Sequence, residues 1–135
     1  MVKLILGVKG TGKTKTLIEM VNKAQNETKG CVVCIEKGNK LRYDVNSQIR
    51  LIDTVEYLVA DAQSLFGFVA GILASNHDVT DLFIDSTLKI CKGDIPAFET
   101  FVAELDKLVS KVGLNMTMTV SMPESDVSDE LRKFM

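Results

Sequence analysis

The chain has 135 residues, of which 46% are hydrophobic and 25% are charged, and its formal net charge is −2. This length and composition fit a single globular domain over residues 1–135. The sixteen lysines and arginines are scattered, so no basic surface for nucleic acid is indicated. The longest apolar run, 65–74, is about half of a membrane span, and a strand-like segment that begins at Val2 leaves no room for a signal peptide. We therefore expect a cytoplasmic protein.

The three cysteines, an odd number, favour a reducing compartment over a disulfide framework. Cys31 and Cys34 have the spacing of a C-x-x-C pair, but they lie in an apolar run with strand character. Residues three apart in a strand point to opposite faces, so we do not predict a metal or redox pair there. Cys91 and the only histidine, His77, are predicted to be structural or solvent-facing.

The segment from Gly7 to Thr14 reads GVKGTGKT and matches the phosphate-binding pattern G-x-x-x-x-G-K-[ST]. It follows a branched run at 2–6 and precedes apolar residues at helical spacing, which is the strand, loop and helix order that phosphate binding needs. Loop amides would converge on the phosphates, Lys13 would neutralise the β and γ oxygens, and Thr14 would hold Mg²⁺. The alternative is a glycine-rich turn with an exposed lysine. We predict nucleotide contacts from Gly7, Val8, Lys9, Gly10, Thr11, Gly12, Lys13, Thr14 and Lys15.

The rest of the chain alternates between two patterns. Short apolar or branched runs predict strands at 31–35, 49–52, 82–84 and 115–120. Apolar residues at helical spacing predict helices at 13–25, at 54–74 with a break near Asp61, at 94–113 with Asp94 as its cap, and in a short tail at 125–134. Gly30 is interpreted as a stop signal, and Gly67 and Gly71 as positions of close packing. Such alternation predicts a parallel sheet covered on both faces, with the ligand at the carboxyl ends of the strands.

P-loop enzymes complete their Mg²⁺ site with an acidic residue at the end of an apolar strand. Two segments offer one, Leu82-Phe83-Ile84-Asp85 and Leu51-Ile52-Asp53. We favour Asp85 because its strand is fully apolar, as a central strand should be, whereas Arg50 is typical of an edge strand. The alternative for Asp85 is a helix or turn cap, since Asp commonly follows strands.

The run 81–86, which ends in Asp85 and Ser86, resembles the Walker B segment of RecA-like ATPases, and the intervening order of elements is also similar. The resemblance implies an α/β three-layer sandwich with a mainly parallel RecA-like P-loop sheet, in the strand order 49–52, 31–35, 82–84, 116–120, 2–6. It implies that Glu36, at the end of the strand after the P-loop helix, is the general base that orients water. It also implies that Ser121 senses the γ-phosphate. Ser86 stands where AAA+ and ABC ATPases carry a Glu.

These residues predict Mg²⁺-dependent ATP binding with slow hydrolysis, in which Lys13, Glu36 and Asp85 are catalytic, and Thr14 and Asp85 hold the metal. One alternative is a switch module that binds nucleotide without hydrolysing it. A second is a small-molecule phosphotransferase, which ranks last because no arginine-rich lid is apparent. In the predicted strand order, strand 2–6 is an apolar edge, which invites pairing with a second copy or a protein partner.

Overall fold

The computed structural model describes residues 1–135 and contains one sheet of five parallel strands. The strands are β1 Val2–Gly7, β2 Cys31–Glu36, β3 Arg50–Asp53, β4 Val79–Ile84 and β5 Asn115–Ser121. Their order across the sheet is β1-β5-β4-β2-β3, which confirms the predicted order. Parallel strands need crossover connections, and these contain helices except between β2 and β3, which are joined by the loop 37–49.

Helices cover both faces of the sheet, so the predicted three-layer sandwich is confirmed. Leu17 and Val21 of α1 (Lys13–Glu27) pack on one face in a small core cluster, and α2 (Ala62–Ser75) and α4 (Ile95–Val112) contribute to a larger cluster on the other face. No helix is both long and apolar enough to cross a membrane. The helices are α1 Lys13–Glu27, α2 Ala62–Ser75, α3 Thr87–Ile90, α4 Ile95–Val112 and α5 Asp129–Arg132, with 3-10 turns at Thr54–Tyr57 and Glu124–Asp126.

The predicted helix over 54–74 is two elements. The 3-10 turn ends at Tyr57 and is followed by Leu58, whose φ of 60° is left-handed. A new helix starts after Asp61, whose carboxylate accepts from the Ser64 amide at 2.8 Å. A left-handed residue cannot continue a right-handed helix, and the Asp61 cap supplies the next start. The break expected near Asp61 is therefore confirmed. The sequence did not predict α3, and the predicted tail helix is one turn, Asp129–Arg132.

Two interpretations of glycine were wrong. Gly67 and Gly71 are exposed on α2, and an added Cβ would meet nothing within 4 Å at either position. Helix α1 ends at Glu27 with Thr28 as its cap, so Gly30 does not stop it. Gly30 instead lies where a Cβ would collide with the Asp78 carbonyl and the Thr80 methyl group. At Gly30 the missing side chain makes room for the neighbouring strand.

The edge strand β1 is covered by other parts of the chain. The Leu4 amide donates to the Phe134 carbonyl at 2.7 Å, and the Val2 amide donates to Oδ1 of Asp106 on α4 at 3.2 Å. Edge amides that already have partners offer little to another strand. The edge from which we expected pairing is thus partly occupied by the chain itself, at Val2 and Leu4. Association with a second copy or a protein partner stays a prediction.

Candidate functional site

The loop between β1 and α1 folds around one carbonyl group. The Lys13 ammonium donates to the Val8 carbonyl at 2.7 Å, and the Thr11 hydroxyl donates to the same oxygen at 2.8 Å. Gly12, with a φ of 83°, is the N-cap of α1, a left-handed conformation that favours glycine. The N-terminal amides of α1 therefore lie next to this loop, in the arrangement that binds phosphate.

The end of β4 meets the start of α1 through a carboxylate and two hydroxyls. The Thr14 hydroxyl lies 3.2 and 3.3 Å from the two carboxylate oxygens of Asp85. On the other side, the Thr119 hydroxyl of β5 donates to Oδ1 of Asp85 at 2.6 Å and accepts from the Ser86 amide at 2.7 Å. Asp85 is 9% exposed. Its carboxylate is thus held between Thr119 of β5 and Thr14 of α1.

These groups open into a cavity of about 620 Å³ at the carboxyl ends of the strands. Five lysines and one carboxylate, that of Asp85, line it, together with only two apolar side chains and no aromatic ring. Such a lining suits the negative charge of phosphates better than the apolar face of a base. Eight predicted site residues line the cavity, namely Lys9, Gly10, Gly12, Lys13, Thr14, Lys15, Asp85 and Ser121. Gly7, Val8, Thr11 and Glu36 do not.

Glu36 lies at the end of β2, 3% exposed, beside this cavity rather than in its lining. Its Oε1 accepts from the Lys40 amide and its Oε2 from the Leu41 amide, both at 3.1 Å. Burial raises the pKa of the Glu36 carboxyl above its usual range; the two amides oppose this shift, and the charges of Asp85 and Asp53 add to it. Each carboxylate oxygen of Glu36 thus accepts a backbone amide, and its predicted role as the general base stays a prediction.

Comparison with known proteins assigns the chain to a family. The sequence model of the thymidine kinase family matches residues 1–126. The chain belongs to the thymidine kinase family. A search of curated proteins found no match. The family is one of P-loop nucleoside kinases, so the resemblance to RecA-like ATPases holds at the level of the P-loop fold. Membership also favours nucleotide binding and phosphotransfer, the alternative ranked last from the sequence, over ATP hydrolysis.

In this thymidine kinase family member, the side-chain oxygens of Thr14 and Asp85 suit a hard divalent cation that is bound together with phosphate. Thr14 and Asp85 supply a hydroxyl and a carboxylate, and no group of three or more His, Cys, Asp or Glu side chains could hold a metal by itself. Mg²⁺ prefers oxygen ligands and keeps several from water and phosphate. Asp53, the other candidate, accepts from the Gly38 and Val55 amides at 2.8 and 2.9 Å and does not line the cavity.

None of the three cysteines lines the cavity. Cys31, Cys34 and Cys91 are all free thiols. Burial raises the pKa of Cys34 well above its usual range and that of Cys91 to about 12. Since the thiolate is the reactive form, neither buried thiol is a nucleophile near neutral pH.

The sequence did not predict seven residues that line the cavity. Of these, Thr119 had a detectable signal, because Thr117, Thr119 and Ser121 alternate with apolar residues along a strand that is buried. A polar face on a buried strand indicates a site. The other six lie in the polar stretch after β2 or in the segment after β4. The composition of these two segments is typical of loops, so it gives no signal of a site. The seven are Lys40, Leu41, Ser86, Leu88, Lys89, Gly93 and Thr119.

Proposed function

We propose that this chain binds Mg²⁺-ATP at the P-loop and transfers the γ-phosphoryl group to a small acceptor of the nucleoside class. The observation that carries the proposal is the contact of Thr14 with Asp85 at the floor of a cavity lined by five lysines, in a member of the thymidine kinase family. Residues 1–135 would act as one nucleotide-binding unit. Hydrolysis would then be a side reaction in which water replaces the acceptor.

Each residue of the site has a role in this proposal. The loop from Gly7 to Lys15 would surround the phosphates, with Lys13 moving from the Val8 carbonyl to the β and γ oxygens. Thr14 and Asp85 would hold Mg²⁺, which when bound would offset phosphate charge. Ser121, at the tip of β5, lines the cavity where it could contact the γ-phosphate.

The chain contributes mainly position and charge to the transfer. The bond from the γ-phosphorus to the bridging oxygen breaks and ADP leaves, a bond to the acceptor oxygen forms, and the hydroxyl proton passes to an oxygen of the transferred phosphoryl group. Because this transition state is loose, fixed positive charge contributes more than a strong base. Lys13 and Lys40 line the cavity from different elements and can stabilise the charge that develops on the leaving phosphate.

A nucleotide-dependent switch is the second candidate, and the surroundings of Asp85 and Glu36 favour it. Ser86 follows Asp85, both oxygens of Glu36 are engaged with amides, and Asp85 is the only carboxylate that lines the cavity. If Asp85 holds the metal, no free carboxylate is left to accept the proton of an acceptor or of water. A chain of this kind would bind triphosphate and turn over very slowly.

Product analysis with labelled ATP separates these functions. ATP labelled at the γ-phosphate is incubated with Mg²⁺ and with thymidine, other nucleosides or their monophosphates in turn, and binding is titrated in parallel. A labelled acceptor supports the kinase, free phosphate without acceptor supports hydrolysis, and binding without turnover supports the switch. Lys13→Ala should lose triphosphate affinity while Lys23→Ala, exposed further along α1, should not. Equal affinity in parent and Lys13→Ala would reject the P-loop assignment.

A further inference from the structure

We propose that Glu36 is a positioning residue that holds the loop 37–41 so that Lys40 faces the phosphates of the bound nucleotide. The proposal rests on the nucleotide binding proposed above. It assigns Glu36 a role different from the general base that the sequence predicted. The proposal is argued from the contacts of the Glu36 carboxylate, the anchoring of the loop 37–41 and the position of Lys40.

The contacts of Glu36 are directed to the loop. Its two oxygens each accept one backbone amide, from Lys40 and from Leu41, at 3.1 Å. An ionised carboxylate accepts at both oxygens, so it can satisfy two adjacent amides at once. A general base must instead reach the proton that it removes. The 3% exposure of Glu36 leaves little room for such a contact.

The same loop is fixed at two further points. Near its start, the Gly38 amide donates to Oδ1 of Asp53 at 2.8 Å. At its end, Leu41 is 3% exposed and packs in the small core cluster with Leu17 and Val21 of α1. Helix α1 begins at Lys13, so the anchor of Leu41 ties the loop to the helix that follows the P-loop. The loop 37–41 is therefore held in a fixed position beside the cavity.

Lys40 is the one lysine of this loop that lines the cavity. Its side chain is exposed, and it shares the cavity with Lys13 and Thr14. Lys37, three residues earlier on the same loop, is also exposed but does not line the cavity. Glu36 bonds to the backbone amide of Lys40 itself, so its contact sets where the Lys40 side chain starts. The charge of Lys40 reaches the phosphates only while that amide is held.

The variants Glu36→Gln, Lys40→Ala and their combination test this coupling, with Lys37→Ala as the matched control. Gln keeps one acceptor oxygen but directs an NH₂ group at the second amide. We expect each single variant to weaken Mg²⁺-ATP binding about tenfold, the effect of losing one hydrogen bond to a charged group. Because Glu36 acts through Lys40, the double variant should bind about as weakly as Lys40→Ala alone. Lys37→Ala should bind like the parent.

Three outcomes overturn the proposal. Glu36→Gln with parental affinity but slower turnover would make Glu36 a base, and losses that multiply in the double variant would show that the two residues act separately. Lys40→Ala with parental affinity would also reject it, and this exposed substitution remains informative if Glu36→Gln is poorly folded.

Hydrogen exchange at the Lys40 and Leu41 amides should accelerate in Glu36→Gln. If parent and Lys13→Ala both fail to bind ATP, the proposed function fails first and this inference with it.

Discussion

The Thr119 hydroxyl donates to Oδ1 of Asp85 at 2.6 Å and accepts from the Ser86 amide at 2.7 Å. It thereby fixes both the carboxylate and the backbone that follows it. Ser86 has a φ of 54°, which is unusual for a residue with a Cβ, and the bond to Thr119 helps to hold it there. A side chain from β5 thus orients the carboxylate at the end of β4 that faces Thr14.

Thr119→Val keeps the shape of the side chain and removes both hydrogen bonds. We expect the free energy of unfolding to fall by about 1–3 kcal/mol, because the Ser86 amide loses its acceptor and the carboxylate loses a donor. Mg²⁺ should also increase ATP affinity less than in the parent. Denaturant titration and ATP binding with and without Mg²⁺ measure the two effects. Thr117→Val, the same change on the same face of β5, should leave the Mg²⁺ dependence unaltered.

Gly7→Ala should distort the phosphate-binding loop. A Cβ at Gly7 would lie 2.7 Å from the Thr11 hydroxyl oxygen, which itself donates to the Val8 carbonyl. Either the Thr11 hydroxyl must rotate away from the Val8 carbonyl or the loop must shift, and we expect ATP affinity to fall about tenfold, since both changes remove a hydrogen bond that shapes the loop or misplace its charged hydrogen bonds. Thr11→Ala removes the obstructing oxygen. If Gly7→Ala combined with Thr11→Ala binds no better than Gly7→Ala alone, this steric account is wrong.

The raised pKa of Glu36 predicts how stability depends on pH in the protein free of metal and nucleotide. The folded state binds this proton more tightly than the unfolded state, because burial outweighs the amide contacts. Between the ordinary and the raised pKa, the folded state therefore carries more protons, and the free energy of unfolding falls as pH rises. Below this interval the contribution is fully present. Denaturation across mildly acidic pH should show the slope in the parent and lose that component in Glu36→Gln, and identical slopes would contradict it.

Two glycine-to-alanine substitutions should change stability in opposite directions. Gly71 is exposed in the middle of α2 and an added Cβ meets nothing, so Gly71→Ala should stabilise the fold by about 0.5–1 kcal/mol. At Gly30 a Cβ would lie 2.7 Å from the Thr80 methyl group and also press on the Asp78 carbonyl, so Gly30→Ala should cost about 1–3 kcal/mol. Chemical denaturation of both variants measures the difference, and a destabilised Gly71→Ala would show hidden packing on α2.

The sequence by itself determined the phosphate loop and the approximate positions of the strands. Both can be read from local patterns of residue types. The loop from Gly7 to Thr14 is a fixed pattern of residue types, and strands and helices appear as short branched runs and as apolar residues at helical spacing. The strand order followed from the P-loop resemblance, and the position of Asp85 followed from its apolar strand. The structure places both Lys13 and Asp85 in the cavity lining, as that prediction requires.

Tertiary structure alone decided several side-chain contacts. The contact of Thr119 with Asp85 joins residues 34 positions apart, a separation over which local pattern carries no information. The meeting of Thr14 with Asp85, 71 positions apart, was expected only because P-loop enzymes share a metal site of this kind. Local pattern likewise carries no information on the cover of β1, where the chain's own tail supplies the Phe134 carbonyl to Leu4. Glu36 shows most clearly what could not be predicted from the sequence. Its place at a strand end could be predicted, but the partners of its two oxygens depend on how the loop 37–41 is anchored by Asp53 and by the packing of Leu41 on α1.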